Sequence, residues 1–204
     1  MRTTVILAGG TSSRFGFRDK SLIKLDGEPL LVHVIHKVKR VADEVVLSFQ
    51  SEEQAERAVK MCDLERGIKI AIDCVDGYGP IAGINAAMKL VDSDSTFIVA
   101  CDMPNLNTDV IELLFNLLEG YDAVVPIWEN GYIEGLHSVY TRGATLRATE
   151  ECIRLGERKL LMLMNRLNVR YVPVEEIRKL DPRLLTFSNI NSEEDLHLSR
   201  GEEV

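Results

Sequence analysis

Short apolar runs alternate with segments of helical periodicity along nearly the whole chain, and this alternation limits the possible folds more than any other feature. A strand followed by a helix and then by another strand builds a mainly parallel sheet with helices on its faces. The strand-like runs are Val5 to Ala8, EVVLSF at 44–49, IKIAID at 68–73, TFIVAC at 96–101, DAVVPIW at 122–128, GLHSVYT at 135–141 and VRYVPV at 169–174. Between them lie helical patterns. In the first, opened by Pro29, Leu30, Leu31, Val34, Ile35, Val38 and Val41 share one stripe. His33, His36, Lys37 and Arg40 form the other, which makes the two histidines a solvated face rather than a metal pair. Further helices are expected over EEQAERAVKM, over GPIAGINAAMKL behind Gly79 and Pro80, and over 108–118, 143–155 and 159–167, with a short closing helix after Asn191. No repeat or low-complexity linker marks a boundary, so residues 1–204 are expected to form one domain, long enough to bury a substantial core.

Composition narrows the function. The net charge of -8, from 32 acidic and 24 basic residues, argues against a nucleic-acid partner held by an overall positive field, so any anion site must be local. No window approaches the roughly 18 consecutive apolar residues of a membrane span. MRTTVILAGG reads as a first strand entering a glycine loop rather than a secretory signal, and a cytoplasmic protein is expected. Cys62, Cys74, Cys101 and Cys152 are widely spaced, without CxxC or histidines at zinc spacing, and are expected to be free thiols.

In open parallel sheets ligands gather at the carboxyl ends of the strands. Three polar features fall there: the loop after the first strand, Asp73 after the third, and Asp102 directly after TFIVAC. The loop, LAGGTSSRFGFRDKSL at 7–22, is neither a P-loop nor a dinucleotide fingerprint. Gly10 and Gly16 enclose five residues instead of four, Phe17 follows the second glycine, and GxGxxG is absent. What remains is a glycine turn followed by Arg14, Arg18 and Lys20. Glycine lets backbone N–H groups approach a phosphate or a base edge, and the cations offset the charge of a bound triphosphate. Asp102 is a candidate ligand for Mg²⁺, which needs only one or two protein carboxylates when phosphates and water complete its shell. A helix cap is better served by Asn107–Thr108. Asp73 fits a site residue or an ordinary turn aspartate. Alternation makes His137 a packed or hydrogen-bonded core histidine rather than a catalytic one. Trp128 and Tyr132 fit either an acceptor pocket or packing.

These segments resemble a known family. LAGGTSSRFGFRDKSL is similar to the LAGGxxxRMGxDKxL signature of the molybdenum cofactor guanylyltransferases, MobA-like members of the nucleotidyltransferase superfamily, with Phe15 for the common methionine. GPIAGI at 79–84 resembles GPLAGI, CDMP at 101–104 resembles CDxP, and EGLHSVY at 134–140 resembles a PLhAvY-type strand. FSNINSEEDL at 187–196 resembles NiNTPEDL, with Ser192 for Thr and Glu193 for Pro. The similarities keep their order over nearly the whole chain.

The resemblance implies a three-layer α/β/α, Rossmann-like nucleotidyltransferase fold, and transfer of GMP from GTP to the phosphate of molybdopterin with loss of pyrophosphate and Mg²⁺ as cofactor. It implies that Leu7, Ala8 and Gly9 meet the nucleotide through main chain, with Gly10 and Gly79 beside them, and that Lys20 holds phosphates. It further implies that Asp73 contacts the nucleotide, that Asp102 contacts both nucleotide and metal, and that Asn189 and Asn191 lie toward the acceptor. Ser48 stands at a nucleotide-contacting position where the family often has Asn. An acceptor phosphate is already a competent nucleophile, so the catalytic work falls to alignment and charge neutralisation by Lys20, Asp102 and Arg14. The expected protein is a monomer without nucleic acid or membrane, with molybdoenzymes or cofactor-biosynthesis proteins as possible partners. Rival readings are a guanylyltransferase for adenosylcobinamide phosphate, a cytidylyltransferase for molybdopterin, and a noncatalytic GTP-binding module that delivers the cofactor.

Overall fold

The computed structural model describes residues 1–9, 11–12, 18–65, 67–73, 75, 77–191 and 195. The chain runs β1 (Arg2–Leu7), a two-residue hairpin of β2 (Thr11–Ser12) and β3 (Arg18–Asp19), a 3-10 turn at Lys20–Leu22, and a second hairpin of β4 (Lys24–Leu25) and β5 (Glu28–Pro29). It continues through α1 (Leu30–Val38), β6 (Glu44–Phe49), α2 (Glu52–Cys62), β7 (Lys69–Ile72), α3 (Pro80–Met88), β8 (Ser95–Ala100) and α4 (Thr108–Asn116). It ends with β9 (Ala123–Ile127), β10 (His137–Thr141), α5 (Arg142–Arg154), α6 (Leu160–Met164), β11 (Val169–Pro173), α7 (Val174–Ile177) and a 3-10 turn at Leu185–Phe187.

Seven strands form one sheet in the order β11-β9-β10-β8-β1-β6-β7. β1 lies parallel to β6 and β8, β7 parallel to β6, and β11 parallel to β9. Among the described strands of this sheet only β10 runs antiparallel, against both β8 and β9. Successive strand side chains point to opposite faces, and the core divides accordingly. Ile6, Leu47, Phe49, Phe97 and Val99 pack with α1, α2, α4 and α7. Val5, Leu7, Val46, Ile98 and Tyr140 pack with α3, α5 and α6 on the other face. The three layers expected from the sequence are present.

The first helix differs in detail from its expectation. It starts at Leu30, because Pro29 stays extended at φ -57, ψ 144 and pairs with Lys24 across the second hairpin. Leu30, Leu31, Val34, Ile35 and Val38 are its buried residues, as the periodicity requires. His33 is not free in solvent, since its Nε2 lies 2.8 Å from the Leu25 carbonyl. α4 is capped by Asn107, whose Oδ1 accepts from the amides of Asp109 and Val110, which leaves Asp102 without a capping task. The closing helix falls mostly outside the described residues, of which only Asp195 belongs to that stretch. Cys62, Cys101 and Cys152 are free thiols, and Cys74 lies outside the described residues. Among the described residues no helix is long and apolar enough to cross a membrane.

His137 opens β10 and is fully buried. Its ring packs edge-on against Phe97 and Phe187, with centroids 5.1 and 4.9 Å away, and its Nε2 lies 3.3 Å from the Thr186 hydroxyl. It is a core histidine, as the alternation implied. Burial holds its pKa at about 3, against 6.5 for a solvated ring. The unfolded chain therefore binds the extra proton between pH 6.5 and about 3 while the native ring stays neutral, so native stability falls with decreasing pH across that window. His137→Phe is expected to flatten the acid limb by up to about 1.4 kcal/mol per pH unit. Urea midpoints measured across that range on both proteins check it, and equal slopes would exclude the assignment.

Candidate functional site

The register of the central strands places Leu7 opposite Ser48 on β6 and opposite Ala100 on β8, so three strands end level with one another. Beyond that line the backbone closes the floor. The Cys101 amide donates to the Leu7 carbonyl at 3.1 Å, the Ala8 amide to the Ser48 carbonyl at 2.8 Å, and the Asp73 amide to the Phe49 carbonyl at 2.9 Å. A cavity of about 240 Å³ opens above this floor.

Seven expected residues line it: Leu7, Gly9, Lys20, Ser48, Asp73, Gly79 and Asp102. Lys20 donates from Nζ to Asp102 Oδ2 at 2.8 Å and to Asn191 Oδ1 at 2.7 Å. Lys20 is carried by the 3-10 turn, where Asp19 Oδ1 accepts from the Ser21 amide at 3.1 Å and from its hydroxyl at 2.7 Å. Asn191 therefore belongs to the Lys20–Asp102 cluster. Its segment is fastened by the Ile190 amide, which donates to the Asp102 carbonyl at 2.9 Å, and by the Asn191 amide, which donates to Asp195 Oδ2 at 2.7 Å.

The remaining expected residues are placed elsewhere. Ala8 is fully buried below the cavity, with its amide used as above and its carbonyl accepting from Gln54 Nε2 at 3.3 Å. Both of its main-chain groups are thus bonded within the protein. Asn189 is exposed away from the cavity lining. Gly10 and Arg14 lie outside the described residues. Trp128 packs on Phe187 and donates from Nε1 to Glu134 Oε1 at 2.7 Å, and Tyr132 is 62% exposed, so neither lines the cavity. Leu136 from the same segment does.

The end of the cavity opposite Lys20 is rich in acceptors. The Ser48 hydroxyl donates to Asp73 Oδ1 at 3.2 Å and lies 3.2 Å from the Gly83 carbonyl. Gly83, on α3, belongs to the GPIAGI segment but was given no role of its own, because glycine inside a helical pattern signals only close packing or a weak helix. A Cβ there would stand 3.0 Å from Ser48 Oγ, 3.2 Å from Leu7 Cδ2 and 3.4 Å from Asp73 Oδ1. Gly83→Ala is expected to raise the Michaelis constant for a substrate held in this cavity about tenfold, the scale of about 1.4 kcal/mol. Its thermal midpoint should hold, because alanine favours a helix over glycine by about 1 kcal/mol. Steady-state kinetics beside a melting curve separate the two effects. Gln54 was also missed. It is 4% exposed, and by accepting from the Gln50 amide at 3.1 Å while donating to Ala8 it ties the start of α2 to the end of β1.

A cation and a carboxylate at one end, acceptors at the other and strand-end backbone between them suit a phosphorylated nucleotide, and fold and site together define an α/β nucleotide-binding domain. Residues 4–171 match the family model described as MobA-like NTP transferase domain, and the chain belongs to that family of nucleotidyltransferases. A protein of Methanosarcina mazei named probable molybdenum cofactor guanylyltransferase is 35% identical over 96% of this chain and 88% of its own length. One of Desulfosudis oleivorans named molybdenum cofactor guanylyltransferase is 33% identical over 95% and 92%. The crystal structure of molybdopterin-guanine dinucleotide biosynthesis protein A from Archaeoglobus fulgidus aligns with a TM-score of 0.81 at 33% identity, over 98% of this chain and 96% of that one.

Proposed function

We propose that the protein transfers GMP from GTP to the terminal phosphate of molybdopterin, releasing pyrophosphate and forming the guanine dinucleotide of the cofactor. Family membership and the names of full-length relatives support this reading. The observation that carries it is the 2.8 Å pairing of Lys20 with Asp102 at the edge of the cavity, between residues 82 apart in the chain. An oxygen of the acceptor phosphate attacks the α-phosphorus, the α–β phosphoanhydride bond breaks, and its electron pair leaves with pyrophosphate. No side chain need be activated as a nucleophile. Lys20 neutralises phosphate charge, and the level strand ends hold the nucleotide for in-line attack. At the far end Asp73, whose Oδ1 accepts from the Ser48 hydroxyl, is the proposed contact to the nucleotide. Cys101 lines the floor as an inert thiol, its pKa pushed well up first by burial and then by Asp102 and Asp19.

The donor set fits a divalent ion that arrives with its substrate. Among the described residues no group of three or more His, Cys, Asp or Glu could hold a metal. Mg²⁺ needs only one or two carboxylates beside phosphate and water oxygens. Asp102, with Asn191 Oδ1 close by, would hold it, and the ion would supply neutralisation of the triphosphate charge. We place the reaction in the cytoplasm, a reading supported by the free thiols.

Pyrophosphate release in the presence of molybdopterin and Mg²⁺ tests the proposal. GTP is expected to exceed CTP and ATP by about tenfold or more. A preference for CTP would make the protein a cytidylyltransferase, and GTP binding without pyrophosphate would leave only a delivery module.

A further inference from the structure

Two oxygen acceptors converge on the Lys20 ammonium. Asp102 Oδ2 and Asn191 Oδ1 lie 2.8 and 2.7 Å from Nζ, and both are the hard oxygen donors that a divalent ion prefers. The acceptor half stands without the lysine, because the Ile190 and Asn191 amides bond to the Asp102 carbonyl and to Asp195. Lys20 reaches it on a flexible four-carbon stem, as a compact point charge. The cluster is also sheltered, with the Lys20 and Asp102 side chains 22% and 11% exposed, so charges there are screened less than at the open surface.

We propose that Lys20 is the resident cation of the divalent-metal position: the free protein excludes divalent ions from Asp102, and one enters only with a nucleoside triphosphate, whose phosphates draw Lys20 away. An ammonium at hydrogen-bond distance neutralises the carboxylate and repels a dication placed beside it. A triphosphate reverses both effects, since it gives Lys20 a stronger anionic partner and brings oxygen ligands for the metal. The inference rests on the nucleotidyltransferase reading only for the identity of the displacing anion. The exclusion of metal from the free protein stands without it.

The test is Mn²⁺ binding by the full chain without nucleotide, read from loss of the free-ion electron paramagnetic resonance signal. The unaltered protein is expected to take up no stoichiometric Mn²⁺, whereas Lys20→Met gains a site about tenfold tighter or more. Lys20→Met combined with Asp102→Asn should lose that site, and Lys20→Arg, which keeps a cation, should not gain it. Circular dichroism confirms that each variant is folded. Adding GTP to the unaltered protein should produce Mn²⁺ uptake beyond that of GTP alone. Stoichiometric Mn²⁺ uptake by the unaltered free protein would overturn the proposal, as would a folded Lys20→Met that gains nothing. The nucleotide-free arms contain neither GTP nor acceptor, so they succeed or fail independently of pyrophosphate release.

Discussion

Lys20→Ala is expected to lower turnover by on the order of a hundredfold or more, the scale of losing one preorganised charge contact in a transfer reaction. The loss should fall on turnover more than on folding. Lys20 is 22% exposed in its side chain, so the carboxylate it leaves behind at Asp102 can draw in water and mobile cations. The Ser21 and Ile23 bonds that shape the turn around it do not use the lysine side chain. Lys20→Arg is not expected to restore full activity, because a planar fork replaces a compact ammonium between two acceptors less than 3 Å away. Pyrophosphate release under saturating GTP, with a melting curve as control, measures the effect. A variant that turns over within about tenfold of the parent would remove Lys20 from the chemistry.

How much of this site could be read from the sequence depends on which contacts are local. Strand positions were legible because apolar runs of four to six residues stand between turn signals, and the burial of Leu30, Leu31, Val34, Ile35 and Val38 followed from helical spacing alone. The mainly parallel direction of the sheet followed from the alternation of strand and helix, but the reversal of β10 was not legible. Nothing in GLHSVYT distinguishes an antiparallel β10 from a parallel one, since the side-chain period is two in both cases. The hairpins β2–β3 and β4–β5 pair only two residues per strand, too few to show any period. α7, at four residues, is too short to show a helical stripe. In the site, the chemistry of Lys20 and Asp102 could be anticipated from residue type and from their place at strand ends. Their meeting required knowing that β1 sits beside β8, which is a property of the sheet order. Gly83 and Gln54 were hidden for the opposite reason. Each is an unexceptional helix residue until α3 is laid on Ser48 and α2 on Ala8. Asn191 was assigned toward the acceptor by resemblance, and its bond to Lys20 depends on a segment more than 80 residues after β8 returning to the carboxyl end of that strand.

Asp102→Ala is expected to match Lys20→Ala, again on the order of a hundredfold or more in turnover, but for a different reason. The carboxylate is the one acidic group that meets Lys20 at the cavity edge among the described residues, and it is the proposed metal ligand. The main-chain role of residue 102 survives the change, because it is the Asp102 carbonyl that accepts from Ile190. Lys20 in turn keeps Asn191 as an acceptor, so neither the segment at 190–191 nor the turn at 20–22 loses its anchor. Asp102→Asn separates charge from shape. It preserves volume and one oxygen acceptor, and if it is as slow as alanine, the negative charge is what the reaction needs. The two lesions should not add, because lysine and carboxylate serve one arrangement of metal and phosphates. With either partner gone, removing the other should cost about tenfold or less in place of a further hundredfold. Turnover measured on the two single variants and the double variant closes the cycle. Full additivity would mean that the pair acts at two separate points of the reaction and that their contact in the free protein has no part in it.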